Sequence, residues 1–147
     1  MDSGTLLSRL MDVRRTSEVL IEPLEAEDLC LQGMADASPP KWHLAHITWF
    51  FETFILKDQV KDYEPHHPKF EILFNSYYNS LGQSYPRSKR GLLSRPTVQE
   101  VVDYRRAVDG RMTELLVTDL TDEIRFRVEL GLNHEQQHQE LLLTDIK

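Results

Sequence analysis

A single cysteine, Cys30, occurs in 147 residues, which excludes an internal disulfide framework and fits a reducing, cytoplasmic compartment. Flanked by Leu29 and Leu31, it reads as a packing residue rather than a nucleophile. No uninterrupted stretch approaches the ~18 apolar residues of a membrane-spanning helix. Basic charge is in the minority: 17 Lys and Arg against 24 Asp and Glu leave a net charge of −7. That balance argues against nucleic acid or a membrane surface as partner, since both favour a basic face. The opening Met1-Asp2-Ser3-Gly4 has neither a positive start nor an apolar run, so no secretory leader is predicted. Strand-like alternation and internal repeats are missing as well. What remains is 40% hydrophobic and 28% charged, the composition of a soluble chain that forms one domain over residues 1–147.

Helical periodicity fills most of that length. Leu6, Leu7, Leu10, Val13 and Leu20 recur at helical spacing, with Pro23 as a stop. A second helix, over about 40–57, is rich in aromatics: Trp42, Trp49, Phe50, Phe51 and Phe54. The polar stretch 58–68 is predicted as a loop, 70–81 as a shorter helix, and 82–96 as a long irregular segment of the functional kind. Thr97-Val98-Gln99-Glu100 is a capping box that opens the third long helix, and the fourth begins near Asp122. Four long helices in one domain predict an antiparallel four-helix bundle, a fold that builds metal sites from facing helices.

The fourth helix carries the run His134-Glu135-Gln136-Gln137-His138-Gln139-Glu140. Two histidines four apart stand on one helix face, able to grip one metal ion. They share a stripe with Leu130, Leu141 and Leu142, so both are expected to point inwards, where bare imidazoles need partners. The plain alternative is two core histidines bonded to neighbours. As H-E-x-x-H the run matches a zinc-protease motif with Glu135 as base. The longer form of that motif asks for Gly at 141 and His at 144, where this chain has Leu141 and Thr144. Glu140 and Asp145, the remaining carboxylates, sit on the same helix, so a third ligand is sought upstream. His66 and His67 lie in a Pro-flanked loop and read as exposed. His43 and His46 lie on the aromatic helix, and periodicity does not choose between them. Arg87, Lys89, Arg90 and Arg95 form a basic cluster that reads either as a solvated loop or as a carboxylate grip.

Several blocks resemble a known family. Ser38-Pro39-Pro40-Lys41-Trp42-His43-Leu44-Ala45-His46-Ile47-Thr48-Trp49-Phe50-Phe51-Glu52 is similar to the segment opening the second helix of ergothioneine-biosynthesis sulfoxide synthases. Asn75-Ser76-Tyr77-Tyr78-Asn79-Ser80-Leu81-Gly82 and Arg90-Gly91-Leu92-Leu93-Ser94-Arg95-Pro96-Thr97 resemble two further stretches, and 134–140 resembles the iron motif. Residues 1–30 match only in helical character.

The resemblance implies a DinB-like four-helix bundle holding non-haem Fe(II) through His46, His134 and His138. It implies an O2-dependent reaction joining γ-glutamylcysteine, or cysteine in ovothiol relatives, to hercynine or histidine. Arg87 and Arg90 become carboxylate contacts and Gln137 a contact to the imidazole substrate; Glu140, by its chemistry alone, reads either as an acceptor that orients a ligand histidine or as an exposed carboxylate. No catalytic residue is assigned, and a His43→Ala change is expected to spare metal uptake. Family members carry a second, formylglycine-generating-enzyme-like domain that these 147 residues do not include, so the resemblance implies a site completed by that domain or a partner chain. The metal is not encoded, since Zn or Ni suits three imidazoles as well. The alternatives are a stand-alone DinB-like thiol transferase or hydrolase, and a non-catalytic helical domain.

Overall fold

Apolar residues three and four apart wind this chain into helices with one buried face each. The structure, a computed structural model, describes residues 3–75, 87–92 and 94–146. Among them every regular element is helical. Helix α1 (Ser3–Ile21) buries Leu6, Leu10, Val13, Arg14 and Ser17. A single turn, α2 (Ala26–Leu29), follows; Glu25 and Asp28 form a capping box there that the periodicity does not announce. Helix α3 (Pro40–Phe51) begins with proline at its first position, where a missing N–H costs nothing. Every residue of α3 is buried, so it is the helix the others surround.

Helix α3 does not stop at Phe51. It passes through a π-helical turn, Glu52–Leu56, into the short α4 (Lys57–Gln59). Within the turn, Glu52 is buried and takes three donors: Tyr104 Oη (2.8 Å), Tyr63 Oη (2.7 Å) and the His66 amide (2.9 Å). These bonds tie the loop after α4 to the bundle and bring α5 (Phe70–Phe74) back beside α3, with Phe70 and Phe74 packed near Tyr104. The rest of the short helix expected over 70–81 lies outside the described residues. A 3-10 helix, Arg87–Leu92, interrupts the segment expected to be irregular.

Helix α6 (Val98–Leu116) starts at the expected capping box: Thr97 Oγ1 accepts from the Glu100 amide, and Glu100 accepts from the Thr97 amide, both at 3.1 Å. Helix α7 (Asp122–Ile146) follows Thr121, whose hydroxyl accepts from the Ile124 amide. Both α1 and α3 pack against α6 and against α7, closing a helical bundle. At the α3–α7 crossing, a Cβ added at Gly131 would stand 2.6 Å from the Phe51 ring, so only glycine permits this approach.

A buried polar network crosses the bundle interior. Arg14 donates to Glu135 Oε1 (2.9 Å), Asp109 Oδ1 (2.6 Å) and Thr48 Oγ1 (2.9 Å). Arg105 donates to Glu135 Oε2 (3.4 Å), the Leu44 carbonyl (3.2 Å) and the Arg14 carbonyl (3.1 Å). Ser17 adds a hydroxyl to Glu135 Oε2 at 2.6 Å. Burial alone would push the Glu135 carboxyl up; Arg14 and Arg105 outweigh it and hold the group below the usual carboxylate range. Glu135 is therefore an ionised strut shared by all four long helices, not the exposed base that a protease reading needs.

Removing one member of such a buried group leaves the others uncompensated, at a cost of about 3–5 kcal/mol. Glu135→Ala is expected to lose stability of that order in urea unfolding of the metal-free protein. A loss under about 1 kcal/mol would show that Arg14 and Arg105 find other partners.

Candidate metal centre

Three imidazoles meet where α3 crosses α7. One ligand atom from each of His46, His134 and His138 lies within 4.8 Å of the others. Nε2 of His46 and Nε2 of His134 face each other at 3.2 Å. For metal–nitrogen bonds of about 2.0–2.1 Å, adjacent ligands stand roughly 3.0–3.4 Å apart. The residues present thus fit a metal ion.

His46 is fixed more tightly than its partners. Its Nδ1 lies 2.5 Å from the Phe74 carbonyl, which only accepts, so the ring donates from Nδ1 and presents the Nε2 lone pair. Trp42 and Trp49, one helical turn before and after, lie nearly parallel to the ring with centroids 4.5 and 5.3 Å away. Trp42 is itself tied to the Leu73 carbonyl through Nε1. The loop pinned by Glu52 thus supplies, through Leu73 and Phe74, the carbonyls that orient this side of the centre.

The two α7 histidines sit differently from each other. His138 is buried, whereas His134 is half-buried, with Phe50 stacked on it at 4.5 Å. The expected inward stripe needs correction: Leu130 and Leu141 are 47% and 40% exposed. The inward face of α7 is instead Ile124, Val128, Gly131, Leu132, Glu135, His138 and Leu142. Centring that face on Glu135 turns His134 to the rim, so the centre lies at the edge of the bundle.

Electrostatics favour neutral rings. Burial first, then the neighbouring histidines, lowers His46 well below the ordinary imidazole value. Burial lowers His134 to about 4, and His138 is held further down by burial and by His134, His43 and Arg90. Neutral imidazoles are the form that binds metal.

The other expected site residues are distributed as follows. Arg90 is buried, with its guanidinium 3.4 Å above the Trp42 ring and Nη1 donating to Ser38 Oγ at 2.8 Å. Lys89 and Arg95 are exposed, so the described part of the basic cluster does not act as one surface. The side chain of Arg87 lies outside the described residues. Gln137 is exposed, one position before His138. Glu140 is exposed too; the carboxylate at the histidines is that of Asp145, 2.7 Å from His43. His66 and His67 are exposed and stack on Tyr104 and Phe70, away from the centre.

This chain belongs to the DinB superfamily, whose family model matches residues 9–142. It is a metal-binding superfamily, and its members are often metal-dependent enzymes. No curated protein matches the chain.

A histidine held near pKa 4 when folded and about 6.5 when unfolded takes up its proton only on unfolding within that window. Its stabilising contribution is complete above pH 6.5 and is lost as pH falls towards 4. The metal-free protein is expected to lose stability over that range in denaturant titrations, and His134→Gln to lose less. Equal slopes for both would show that His134 is not buried neutral.

Proposed function

We propose that this helical domain holds Fe(II) through His46, His134 and His138. In this reading it serves an O2-dependent sulfoxide synthase that joins γ-glutamylcysteine, or cysteine, to hercynine in ergothioneine biosynthesis. The observation that carries the reading is the convergence of three neutral imidazoles from two helices, on a chain whose flanking blocks resemble that family. Iron bound there would supply O2 activation for forming the carbon–sulfur bond and oxidising the sulfur.

The remaining roles are carried over from the resemblance. Three protein ligands leave up to three positions of an octahedral ion for reactants. The rim position of His134 gives small molecules a way in from solvent. Arg90, whose charge is felt at His138, and Arg87 would take the carboxylates of the thiol substrate, which guanidinium groups bind by paired hydrogen bonds. Gln137, exposed beside His138, would meet the imidazole substrate. No helix among the described residues is long and apolar enough to cross a membrane.

A second reading, a DinB-like thiol transferase or hydrolase using zinc or nickel, is favoured by the donor set itself, which suits those ions equally. Calorimetry separates the two. Anaerobically Fe(II)-loaded protein is expected to bind hercynine, and His46→Ala protein to bind it at least about tenfold more weakly. Metal uptake without hercynine affinity would favour the transferase or hydrolase reading. Equal hercynine binding by the variant would contradict a metal-centred substrate site.

A further inference from the structure

His43 competes with His46 for the metal in the sequence, and the resemblance leaves it without a role. The structure holds its ring from both nitrogens. Nε2 lies 2.7 Å from Oδ2 of Asp145, near the end of α7, and Nδ1 lies 3.1 Å from Nδ1 of His138. The Asp145 oxygen is itself held in place, because it also accepts from the Ser38 amide at 2.9 Å. Ser38 in turn accepts from Arg90 through its hydroxyl.

The order of donors along this chain follows from its first member. A carboxylate oxygen only accepts, so His43 donates from Nε2. A neutral imidazole then has its lone pair on Nδ1. Two facing lone pairs make no hydrogen bond, so the proton between the two Nδ1 atoms belongs to His138. That leaves the His138 lone pair on Nε2. With His43 neutral, the bonding partners place the Nδ1 proton on His138 and its lone pair on Nε2.

We propose that His43 and Asp145 are positioning residues of the metal centre. The chain Asp145–His43–His138 fixes the ring orientation and tautomer of His138, so that Nε2 is presented to the ion; this rests on the metal reading above. Phe74 does the same for His46 through its carbonyl. The two ligands are therefore oriented by different means, one by main chain and one by a histidine backed by a carboxylate. The intervening imidazole also keeps the Asp145 charge one ring further from the metal than a carboxylate bonded directly to the ligand. Losing an orienting partner typically weakens metal binding about 10–100-fold. His43→Ala is accordingly not a silent change, contrary to the sequence-based expectation.

Co(II) affinity, measured by competition with a chromophoric chelator, tests the role alongside the visible Co(II) spectrum and metal-free urea unfolding. His43→Phe keeps a ring but no acceptor and is expected to weaken Co(II) binding at least about tenfold. His43→Asn places an oxygen where Nδ1 stood and is expected to recover most of that loss. If His43→Phe fails to fold, Asp145→Leu provides the test from the end of α7, with a several-fold loss expected and Asp145→Asn milder. Folded His43→Phe or Asp145→Leu protein binding Co(II) within about twofold of the unaltered chain, with the same spectrum, would overturn the role. So would equal losses in His43→Phe and His43→Asn, which would signify packing alone. If the unaltered protein takes up no Co(II), the metal centre itself falls, and this role with it.

Discussion

The rotation of α7 about its own axis is set by one buried carboxylate. Glu135 lies at 0% exposure between Arg14 and Arg105, with Ser17 bonded to the same group. Its partners come from α1 and α6, and Thr48 and Leu44 of α3 accept from the same two arginines. Ionised and fully enclosed, it can be satisfied only when all four helices are in register. A buried ion group contributes little net stability relative to apolar packing, but it penalises every arrangement that leaves a charge unpaired. Because Glu135 adjoins His134 and precedes His138 by three positions, that register also determines where both imidazoles face.

From the α3 side, the opposite half of the centre is held by aromatic stacking and main-chain carbonyls. Trp42 and Trp49 confine the His46 ring, and Phe74 fixes its tautomer. The π-turn at Glu52–Leu56 bears on this indirectly, since Glu52 anchors the loop that returns α5 to α3. Side chains far apart in the chain thus hold neutral rings together, an arrangement that needs either internal hydrogen-bond partners or a cation. His138 and His46 have the former on Nδ1, while Nε2 of His46 and Nε2 of His134 stand 3.2 Å apart. His134 Nδ1 is buried with no hydrogen-bond partner among the described residues.

The sequence made some of this legible for physical reasons and hid the rest. Helices α6 and α7 announce themselves because each exposes a polar face and starts at a threonine cap. His134 and His138 stand out because four-residue spacing is local. The choice between His43 and His46 is not local: α3 is buried on all sides, so both of its stripes read as inward. Apolar periodicity misplaces the inward face of α7 because Leu130 and Leu141 are apolar yet exposed, whereas its true centre, Glu135, is charged. A pattern that equates apolar with buried cannot find a carboxylate balanced by arginines from other helices. Asp145 and His43, 102 positions apart, meet only through the fold.

The central claim is that His46, His134 and His138 share one ion. Anomalous diffraction from crystals grown with Co(II) tests it most directly. The account predicts a single strong peak bonded to Nε2 of His46, of His134 and of His138, with His43 and Asp145 outside the bonding distance. No peak at that crossing, or a peak ligated by His43 or Asp145 in place of one of the three, would contradict it.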